Sequence, residues 1–330
     1  MRMIFVWSVA AVAVIVLLCL PFVATTQIND WIFRVAMLCI VAVSWNLMAN
    51  AGQISLGHSA FWGVGAYAGV LSANVLGVSI LAGTGVAICA GAVLGAVLAL
   101  ATGRLRGVFF AICTLALSEG LRTAALMTPD LTGGAVGLFL NQKLRPAPAD
   151  LFLIGSAAAV IAVIVSIVLA NTKFHYACRA LRNHEGAAQM LGIDPRQYRF
   201  AVLALSGGLA SGAGSINAWY GGYLDPNIAF DLFVTVQAQI APILGGLYTV
   251  AGPVVGSFGI VFLSEFSRIW LGAHEGASQL VFGAVLVVGI LFMPKGIYGS
   301  FRRLWARLFR PAEQTRPAGR PVVSVLQERP

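Results

Sequence analysis

Charged residues are scarce in this sequence. Asp, Glu, Lys and Arg make up 10% of its 330 residues, whereas hydrophobic residues make up 59%. A soluble globular domain carries about 25% charged residues, so this chain lacks the polar side chains that would cover a soluble fold of its size. The composition therefore excludes a cytosolic globular, a secreted or a nucleic-acid-binding protein. It predicts an all-α polytopic membrane protein, in which each span needs about 20 apolar residues.

Sequence patterns for catalysis, metal binding and nucleotide binding are also missing. No Gly-Lys dipeptide occurs, which excludes a P-loop for ATP, and neither H-E-x-x-H nor G-x-S-x-G is present. The cysteines are odd in number and have no metal-ligand spacing, so we interpret them as small packing residues. They are Cys19, Cys39, Cys89, Cys113 and Cys178. These absences predict a chain that is not an enzyme and that holds neither a metal nor another cofactor.

Apolar runs long enough to cross a membrane recur along the chain and predict about ten transmembrane helices. They lie near residues 3–25, 31–49, 60–80, 84–102, 107–127, 151–170, 199–219, 231–250, 251–272 and 276–293. The first run also resembles a signal peptide, but its apolar core is longer than the roughly 7 to 15 residues of a signal sequence. We interpret it as an uncleaved first helix.

Basic residues are distributed unevenly among the connections between these helices. Membrane proteins concentrate Lys and Arg in cytoplasmic loops, and a cytoplasmic N-terminus places most of them there, so both termini are predicted to be cytoplasmic. The cytoplasmic connections are then 50–59, 103–106, 171–198 and 294–330. The predicted organisation is a transmembrane domain over residues 1–300, including the cytoplasmic loop 171–198, and a basic, disordered tail over 301–330.

Glycine is abundant, with 37 residues, and it recurs at a four-residue spacing. Lipid supplies no hydrophobic driving force between helices, so close backbone approach at small residues has to hold them together. We expect helix contacts at Gly65/Gly69, Gly91/Gly95, Gly208/Gly212 and Gly252/Gly256.

The segment from Asn50 to Gly69, NAGQISLGHSAFWGVGAYAG, combines glycine with polar residues where the chain re-enters the membrane. A broken helix of this kind is tolerated only where it is buried in protein or lines a watery path. Its polar side chains are therefore candidates for a translocation path or gate: Gln53, Ser55, His58 and Ser59. For His58 taken alone, we favour a packed histidine over a ligand or proton carrier, because no second His or carboxylate lies at metal-binding spacing.

The predicted cytoplasmic segment Arg179–Arg199 has the pattern of one short amphipathic helix. One face carries Leu181, Ala188 and Leu191, and another carries Arg182, Glu185 and Gln189. Gly192 is placed to end the helix, and Asp194-Pro195 to turn the chain. A few residues are enough to join two antiparallel spans, so we favour a docking element over a solvated connection.

Two Glu-x-x-Arg pairs lie inside apolar helices, Glu119 with Arg122 and Glu265 with Arg268. A lone charge near the bilayer centre costs several kcal/mol, and a partner of opposite sign three residues away lowers this cost. We favour structural ion pairs that set helix register. The alternative is a place for Glu119 and Glu265 in the substrate path.

Several motifs occur in an order typical of one protein family. They are GQISLGHSAFWGVGAYA, TLALSEGLR, LTGGAVGL, RALRNHEGAAQMLGID, LGG, GPVVG and MPKGIYG, and the match runs from about residue 31 to 300. Together they resemble the permease subunits of ABC importers for branched-chain and other hydrophobic amino acids, in particular the longer of the two paired permeases. The first motif and the cytoplasmic loop are the most specific.

The resemblance implies a role for the cytoplasmic loop. In this family a short helix there, a divergent form of the EAA loop, sits in a groove of the ATPase subunit and transmits nucleotide-driven closure to the spans. Coupling would then involve Arg179, Arg182, Glu185, Ala187, Ala188 and Gly192. The implied partners are a homologous second permease, two ABC ATPases that hydrolyse the ATP, and a periplasmic substrate-binding protein, all at the bacterial inner membrane.

One departure from the family concerns the eighth predicted span, which commonly has a Glu where this chain has Gln237. Gln237 therefore joins the candidate path residues, and the substrate stays open between amino acids, urea and short amides. A different class of function is an ion-coupled secondary transporter or channel with Glu119 and Glu265 as relays. The coupling-type loop and the neutralising arginines beside both acids favour the importer.

Overall fold

The computed structural model describes residues 25–103 and 105–271 and, beyond Leu271, only the isolated positions 280, 283, 284, 287, 296, 297 and 299. This part of the chain is predominantly helical. The first predicted span lies, apart from Thr25, outside the described residues, as do most of the tenth predicted span and the tail at 301–330.

Twelve α-helices follow one another along the described residues. They are α1 (Thr26–Asn50), α2 (His58–Leu76), α3 (Ile80–Ala101), α4 (Val108–Met127), α5 (Pro129–Thr132), α6 (Pro148–Ala170), α7 (Lys173–Asn183), α8 (Glu185–Met190), α9 (Pro195–Gly221), α10 (Pro226–Ala229), α11 (Leu232–Gly246) and α12 (Ala251–Leu271). Two 3₁₀ turns, Gly134–Val136 and Gln142–Leu144, lie between α5 and α6.

Seven stretches of helix within this part of the chain are long and apolar enough to cross a membrane. They are α1, α2, α3, α4, α6, α9 and the stretch Pro226–Gly246 that contains α10 and α11. They correspond in order to the second to eighth predicted spans, with ends displaced by a few residues, and α12 corresponds to the ninth. An all-α polytopic membrane protein is confirmed.

Helix α9 packs closely against α2 and α3. A Cβ atom at Gly65 of α2 would overlap the carbonyl of Ser211 on α9, and one at Gly95 of α3 would overlap the carbonyl of Leu203. On α12, a Cβ at Gly256 would overlap the carbonyl of Ala241 on α11. These glycines belong to three of the predicted pairs, so close backbone approach at small residues is confirmed as the packing principle.

Helix α1 is a core helix, because α6, α9, α11 and α12 pack around it. Fifteen of its 25 residues are buried, and Phe33, Met37 and Trp45 belong to one hydrophobic cluster with residues of α6 and α9. An apolar helix that is covered on most sides belongs inside a bundle rather than against lipid. Helix α1 therefore forms one wall of the sites described below.

One end of the bundle carries a short antiparallel ladder between β1 (Leu138–Phe139) and β2 (Tyr223–Leu224), in which Leu138 faces Leu224. The Asn74 side chain, two residues before the end of α2, donates to the Phe139 carbonyl at 2.9 Å. We call this the ladder end of the bundle.

The opposite end carries α7 and α8. Arg199, near the start of α9, donates to the Gly103 carbonyl just after α3 at 3.4 Å, and Arg182 of α7 donates to Asn50 Oδ1 at the end of α1, also at 3.4 Å. The connections after α1, α3 and α6 therefore meet at this second end, as the alternation of the predicted connections requires. We call it the α7–α8 end.

The prediction of a single amphipathic helix in the cytoplasmic segment is wrong. His184 adopts an extended conformation, with φ −156° and ψ 95°, and separates α7 from α8. One continuous helix would place Arg182 and Glu185 on the same face, because they are three residues apart. The break lets these two side chains reach different partners, and it moves Leu191 beyond the end of α8, where it is 80% exposed.

Candidate functional site

The turn between α1 and α2 contains the first two candidate path residues, Gln53 and Ser55, and both are buried. Trp45 Nε1 donates to the Ser55 carbonyl at 2.9 Å, and the Leu56 amide donates to Thr114 Oγ1 at 3.0 Å. The following helix, α2, continues without interruption to Leu76. The predicted break is thus confined to this turn. The chain supplies partners for the Ser55 carbonyl and the Leu56 amide, whereas Gln53 Oε1 has none among the described residues.

Ser59 connects three helices through a cluster of hydroxyl groups. Its Oγ lies 2.7 Å from Ser118 Oγ of α4 and accepts from Thr235 Oγ1 of α11 at 3.0 Å. The Ser59 amide donates to Thr235 Oγ1 at 2.8 Å, and all three residues are buried. Hydroxyl hydrogen bonds of this kind hold helices together within lipid. Ser59 is therefore a packing contact between α2, α4 and α11.

His58 is fully buried at the start of α2. Its Nε2 lies 3.3 Å from Ser206 Oγ on α9, which itself donates to the Ser44 carbonyl on α1 at 2.9 Å. The ring packs edge-on against Phe61. Among the described residues Nδ1 has no partner. This environment is that of the packed histidine favoured by the sequence.

Glu119 and Arg122 form the predicted ion pair on α4. Arg122 Nη2 and Nε each lie 2.9 Å from Glu119 Oε2, and Arg122 Nη1 also donates to Asn227 Oδ1 of α10 at 3.1 Å. The pair is only partly buried, with 47% of the Glu119 side chain exposed. It links α4 to α10 near the ladder end.

Glu265 of α12 is almost fully buried and is shared by two arginines. Arg268 Nη2 and Nε lie 2.7 and 3.0 Å from Oε2, which confirms the predicted pair, and Arg34 Nη1 of α1 lies 3.3 Å from Oε1. Only 5% of the Glu265 side chain is exposed, compared with 62% and 61% for Arg34 and Arg268. Sequence reasoning missed Arg34, although an arginine inside the apolar run 31–49 was a signal for it.

A cavity of about 320 Å³ lies beside this ion cluster, between α1, α2, α9, α11 and α12. Its polar lining consists of Arg34, Asn217, Gln237, Ser264 and Glu265. Its apolar lining includes Met37, Leu38, Val41, Trp62 and Val234. We call it the Arg34 cavity. It brings together two of the predicted path residues, Gln237 and Glu265, which lie on adjacent helices.

At the α7–α8 end, Glu185 holds α8 to the bundle. Its carboxylate pairs with Arg199 Nη2 at 2.9 Å and with Arg106 Nη2 at 3.1 Å. The side chains of Glu185 and Arg199 are 15% and 11% exposed. A second cavity, of about 210 Å³, lies here, and Gln53 and Arg182 line it together with these charges. Gln53 therefore lines a different cavity from the one that Gln237 lines.

Arg182 anchors α7 in a different way. Its guanidinium carbon lies 3.7 Å from the centre of the Tyr248 ring, between α11 and α12, and Arg182 also donates to Asn50. Partial burial, together with the charges of Arg179 and Arg182, lowers the pKa of His175 on the same helix. The imidazole is therefore neutral near pH 7, and the positive charge of α7 comes from Lys173, Arg179 and Arg182.

The remaining predicted coupling residues divide into buried and exposed groups. Ala188 is buried by its own chain, whereas Arg179 and Ala187 are exposed, and Gly192 has the left-handed φ of +80° expected of a helix-ending glycine. Leu191, predicted to share a face with Ala188, is 80% exposed, and Met190, which the sequence pattern did not single out, is 90% exposed. Two successive large apolar residues before a glycine, within a polar segment, were a signal for a contact surface.

These features define a class of protein. Seven apolar helices, buried hydroxyl clusters and intramembrane ion pairs belong to a multi-pass integral membrane protein. The profile of one family, described as the permease component of branched-chain amino acid transport systems, matches residues 27–290. The chain belongs to that family and is a multi-pass permease component of the bacterial inner membrane.

Similar proteins agree with this assignment. The chain is 24% identical to the high-affinity branched-chain amino acid transport system permease protein LivM of Escherichia coli, over 84% of this chain and 77% of that protein. It is 29% identical to the probable branched-chain amino acid transport permease protein LivH of Methanocaldococcus jannaschii, over 40% and 43%. It is 25% identical to the fructose import permease protein FruF of Bifidobacterium longum, over 46% and 42%. No solved structure gives a significant match.

The resemblance found in the motifs is therefore confirmed, including the likeness to LivM rather than LivH. LivM of Escherichia coli matches 84% of the chain, whereas LivH of the same organism matches 56%. The secondary-transporter alternative is not favoured by these relatives. The arginines beside Glu119 and Glu265 agree with this, because they neutralise the acids that would have to carry ions.

Proposed function

We propose that this chain is the translocating permease of an ATP-driven importer for branched-chain or other hydrophobic amino acids. The observation that carries the proposal is the family match over residues 27–290, together with a helical element, α7–α8, that is larger than a connection between α6 and α9 requires. Urea and short amides remain the alternative cargo. The proposed domain covers residues 1–300, with the coupling loop at 171–198 and a disordered basic tail at 301–330.

The proposed topology has ten spans with both termini in the cytoplasm. Its support is the distribution of charge between the two ends. The described connections at the α7–α8 end contain Arg106, Lys173, Arg179, Arg182 and Arg196, whereas those at the ladder end contain Lys143 and Arg145. Cytoplasmic connections hold the excess of Lys and Arg, so the α7–α8 end is the cytoplasmic one in this proposal.

The proposed partners are a homologous second permease, two ABC ATPases and a periplasmic substrate-binding protein. Support for the second permease comes from the relatives, because LivM and LivH of Escherichia coli are both named as permeases of a high-affinity branched-chain amino acid transport system. The absence of a P-loop pattern from this sequence supports ATP hydrolysis by a partner subunit.

Coupling is proposed to divide between anchoring and contacting residues. Arg182, Glu185 and Ala188 fix α7 and α8 to the bundle, and Gly192 turns the chain into α9. Arg179 and Ala187, together with Met190 and Leu191, form the exposed surface for the ATPase. A rigidly anchored element transmits movement of a bound ATPase to the spans, whereas a loosely attached loop would absorb it.

A reconstitution with components left out tests the function. Proteoliposomes contain this chain, its paired permease, the ATPases and the binding protein, and leucine uptake is measured with ATP inside. We expect uptake to disappear when either the ATPases or the binding protein is omitted. Uptake that persists without ATPases and follows a proton or sodium gradient would contradict the proposal. If the proteoliposomes took up urea but not leucine, the protein would still be an importer permease, with urea as its substrate.

Met190→Glu tests the contact surface. We expect this change to weaken retention of the ATPases on the purified complex strongly, because it places a charge in an apolar contact, and to leave the permease folded, because Met190 is 90% exposed. The measurement is the amount of ATPase that co-purifies. Met127→Glu is the matched control, since Met127 is 77% exposed at the ladder end. Equal retention in the two variants would show that α8 does not contact the ATPase.

A further inference from the structure

The ion cluster beside the Arg34 cavity has an unbalanced charge. Arg34 and Arg268 share the single carboxylate of Glu265, which leaves one net positive charge. A guanidinium has five N–H donors, and Arg34 uses one of them on Glu265, so donors remain for another acceptor. Arg34 lines the cavity, whereas Arg268 does not. Asp30, one turn earlier on α1, also lies near Arg34 and accepts from the Tyr220 hydroxyl. Arg34 therefore presents its unused donors to the cavity, where an anionic group would accept from them.

The cavity also has an apolar wall. Along α1, Met37, Leu38 and Val41 follow Arg34 over about 10 Å at 1.5 Å per residue, and Trp62 of α2 continues the apolar lining. The volume of about 320 Å³ is at the lower end of the range for small-molecule sites. A ligand that fits has a carboxylate at one end and a compact apolar group at the other.

Two side-chain amides complete the lining. Asn217 of α9 and Gln237 of α11 line the cavity, and no hydrogen bond joins either side chain to another described residue. Their carbonyl oxygens, with the nearby carboxylate of Glu265, are acceptors for an ammonium group. Carboxylate, ammonium and apolar side chain are the three parts of an apolar α-amino acid.

We propose that the Arg34 cavity is a substrate-binding site within the permease, and that it takes a zwitterionic α-amino acid with a branched apolar side chain. Arg34 binds the carboxylate, Gln237 and Asn217 accept from the ammonium, and the wall formed by Val41 and Trp62 contacts the side chain. This inference rests on the proposed function and adds that the membrane subunit itself selects the cargo, through the carboxylate that urea and amides lack.

The test measures binding of radiolabelled leucine to the permease–ATPase complex in lipid nanodiscs, without the binding protein. We expect wild type to bind leucine and not 3-methylbutylamine, which has the same side chain without the carboxylate. Arg34→Gln should weaken leucine binding at least about tenfold, the value of a charge-assisted hydrogen bond. Arg122→Gln is the control, because it removes a guanidinium that pairs with a different glutamate, Glu119 on α4, outside the cavity lining, and it should bind leucine like wild type.

A second pair of variants keeps the test valid if Arg34→Gln fails to fold. Val234→Trp fills the cavity from α11 and should abolish leucine binding, whereas Val236→Trp, two residues away and outside the lining described for the cavity, should not. The inference would be overturned if the two variants of each pair bound leucine equally well. It would also be overturned if a wild-type complex that takes up leucine with its binding protein did not bind leucine without it. A wild-type complex without leucine uptake would instead overturn the proposed function.

Discussion

Replacing Glu185 with glutamine is expected to abolish ATP-driven uptake. The change leaves Arg199, whose side chain is 11% exposed, without its carboxylate partner, and it also removes the pair with Arg106. Breaking a buried ion pair by removing one partner costs about 3–5 kcal/mol. Since Glu185 is the first residue of α8, losing these pairs is expected to weaken the attachment of α8 to the bundle. The measurements are leucine uptake in proteoliposomes and limited proteolysis of residues 173–194.

The controls separate this effect from a general loss of charge. Glu119→Gln also leaves an arginine, Arg122, without its carboxylate, but on α4 and away from the coupling element. It should lower the yield of folded protein, because a lone charge within a span is costly, and should leave residues 173–194 resistant to protease. The double change Glu185→Gln with Arg199→Gln removes the buried charge and should restore part of the protease resistance. Full uptake by the single variant would show that the pair does not hold the coupling element.

Gly65→Leu is expected to prevent assembly of the folded permease. A Cβ atom at this position would overlap the backbone carbonyl of Ser211, and a backbone contact cannot be relieved by a change of rotamer. Overpacking typically costs about 1–3 kcal/mol, and here α2 and α9 would also lose their close approach. The measurement is the yield of monodisperse protein in detergent and its thermal stability.

Gly85→Leu is the matched control. Gly85 lies on the neighbouring helix α3, and no atom of the described residues lies within 4 Å of its added Cβ. This variant should be obtained at the wild-type yield, and leucine should slightly favour the helix. Similar yields for the two variants would contradict the assigned packing of α2 against α9.

Some of the candidate site could be predicted from the sequence because the interactions concerned are local. Arg122 and Arg268 lie three residues from their glutamates, so helical periodicity alone places each pair on one face. The second partner of Glu265 could not be found this way, because Arg34 is 231 residues away in the chain. The same holds for Ser59, whose hydroxyl partners lie on α4 and α11.

The coupling segment shows where periodicity misleads. Sequence spacing placed Leu191 on the same helical face as Ala188, which assumes an uninterrupted helix. The tertiary partners of Arg182 and Glu185, Tyr248 and Arg199, lie in different directions, so the chain breaks at His184 between them. Ala188 is consequently buried by its own chain, and Leu191 is left on the surface.

The sequence by itself determined that the chain lies in a lipid bilayer, that its fold is all-α, and the approximate positions of the spans along the chain. Hydropathy and backbone hydrogen bonding in lipid are properties of each segment alone, so local composition is sufficient for them. Only the tertiary structure decided that Arg34, Gln237 and Glu265 share one cavity, that Ser59 contacts α4 and α11, and that His58 contacts α9. The physical reason is that these properties depend on which helices become neighbours, and the hydropathy of a segment does not specify the helix against which it packs.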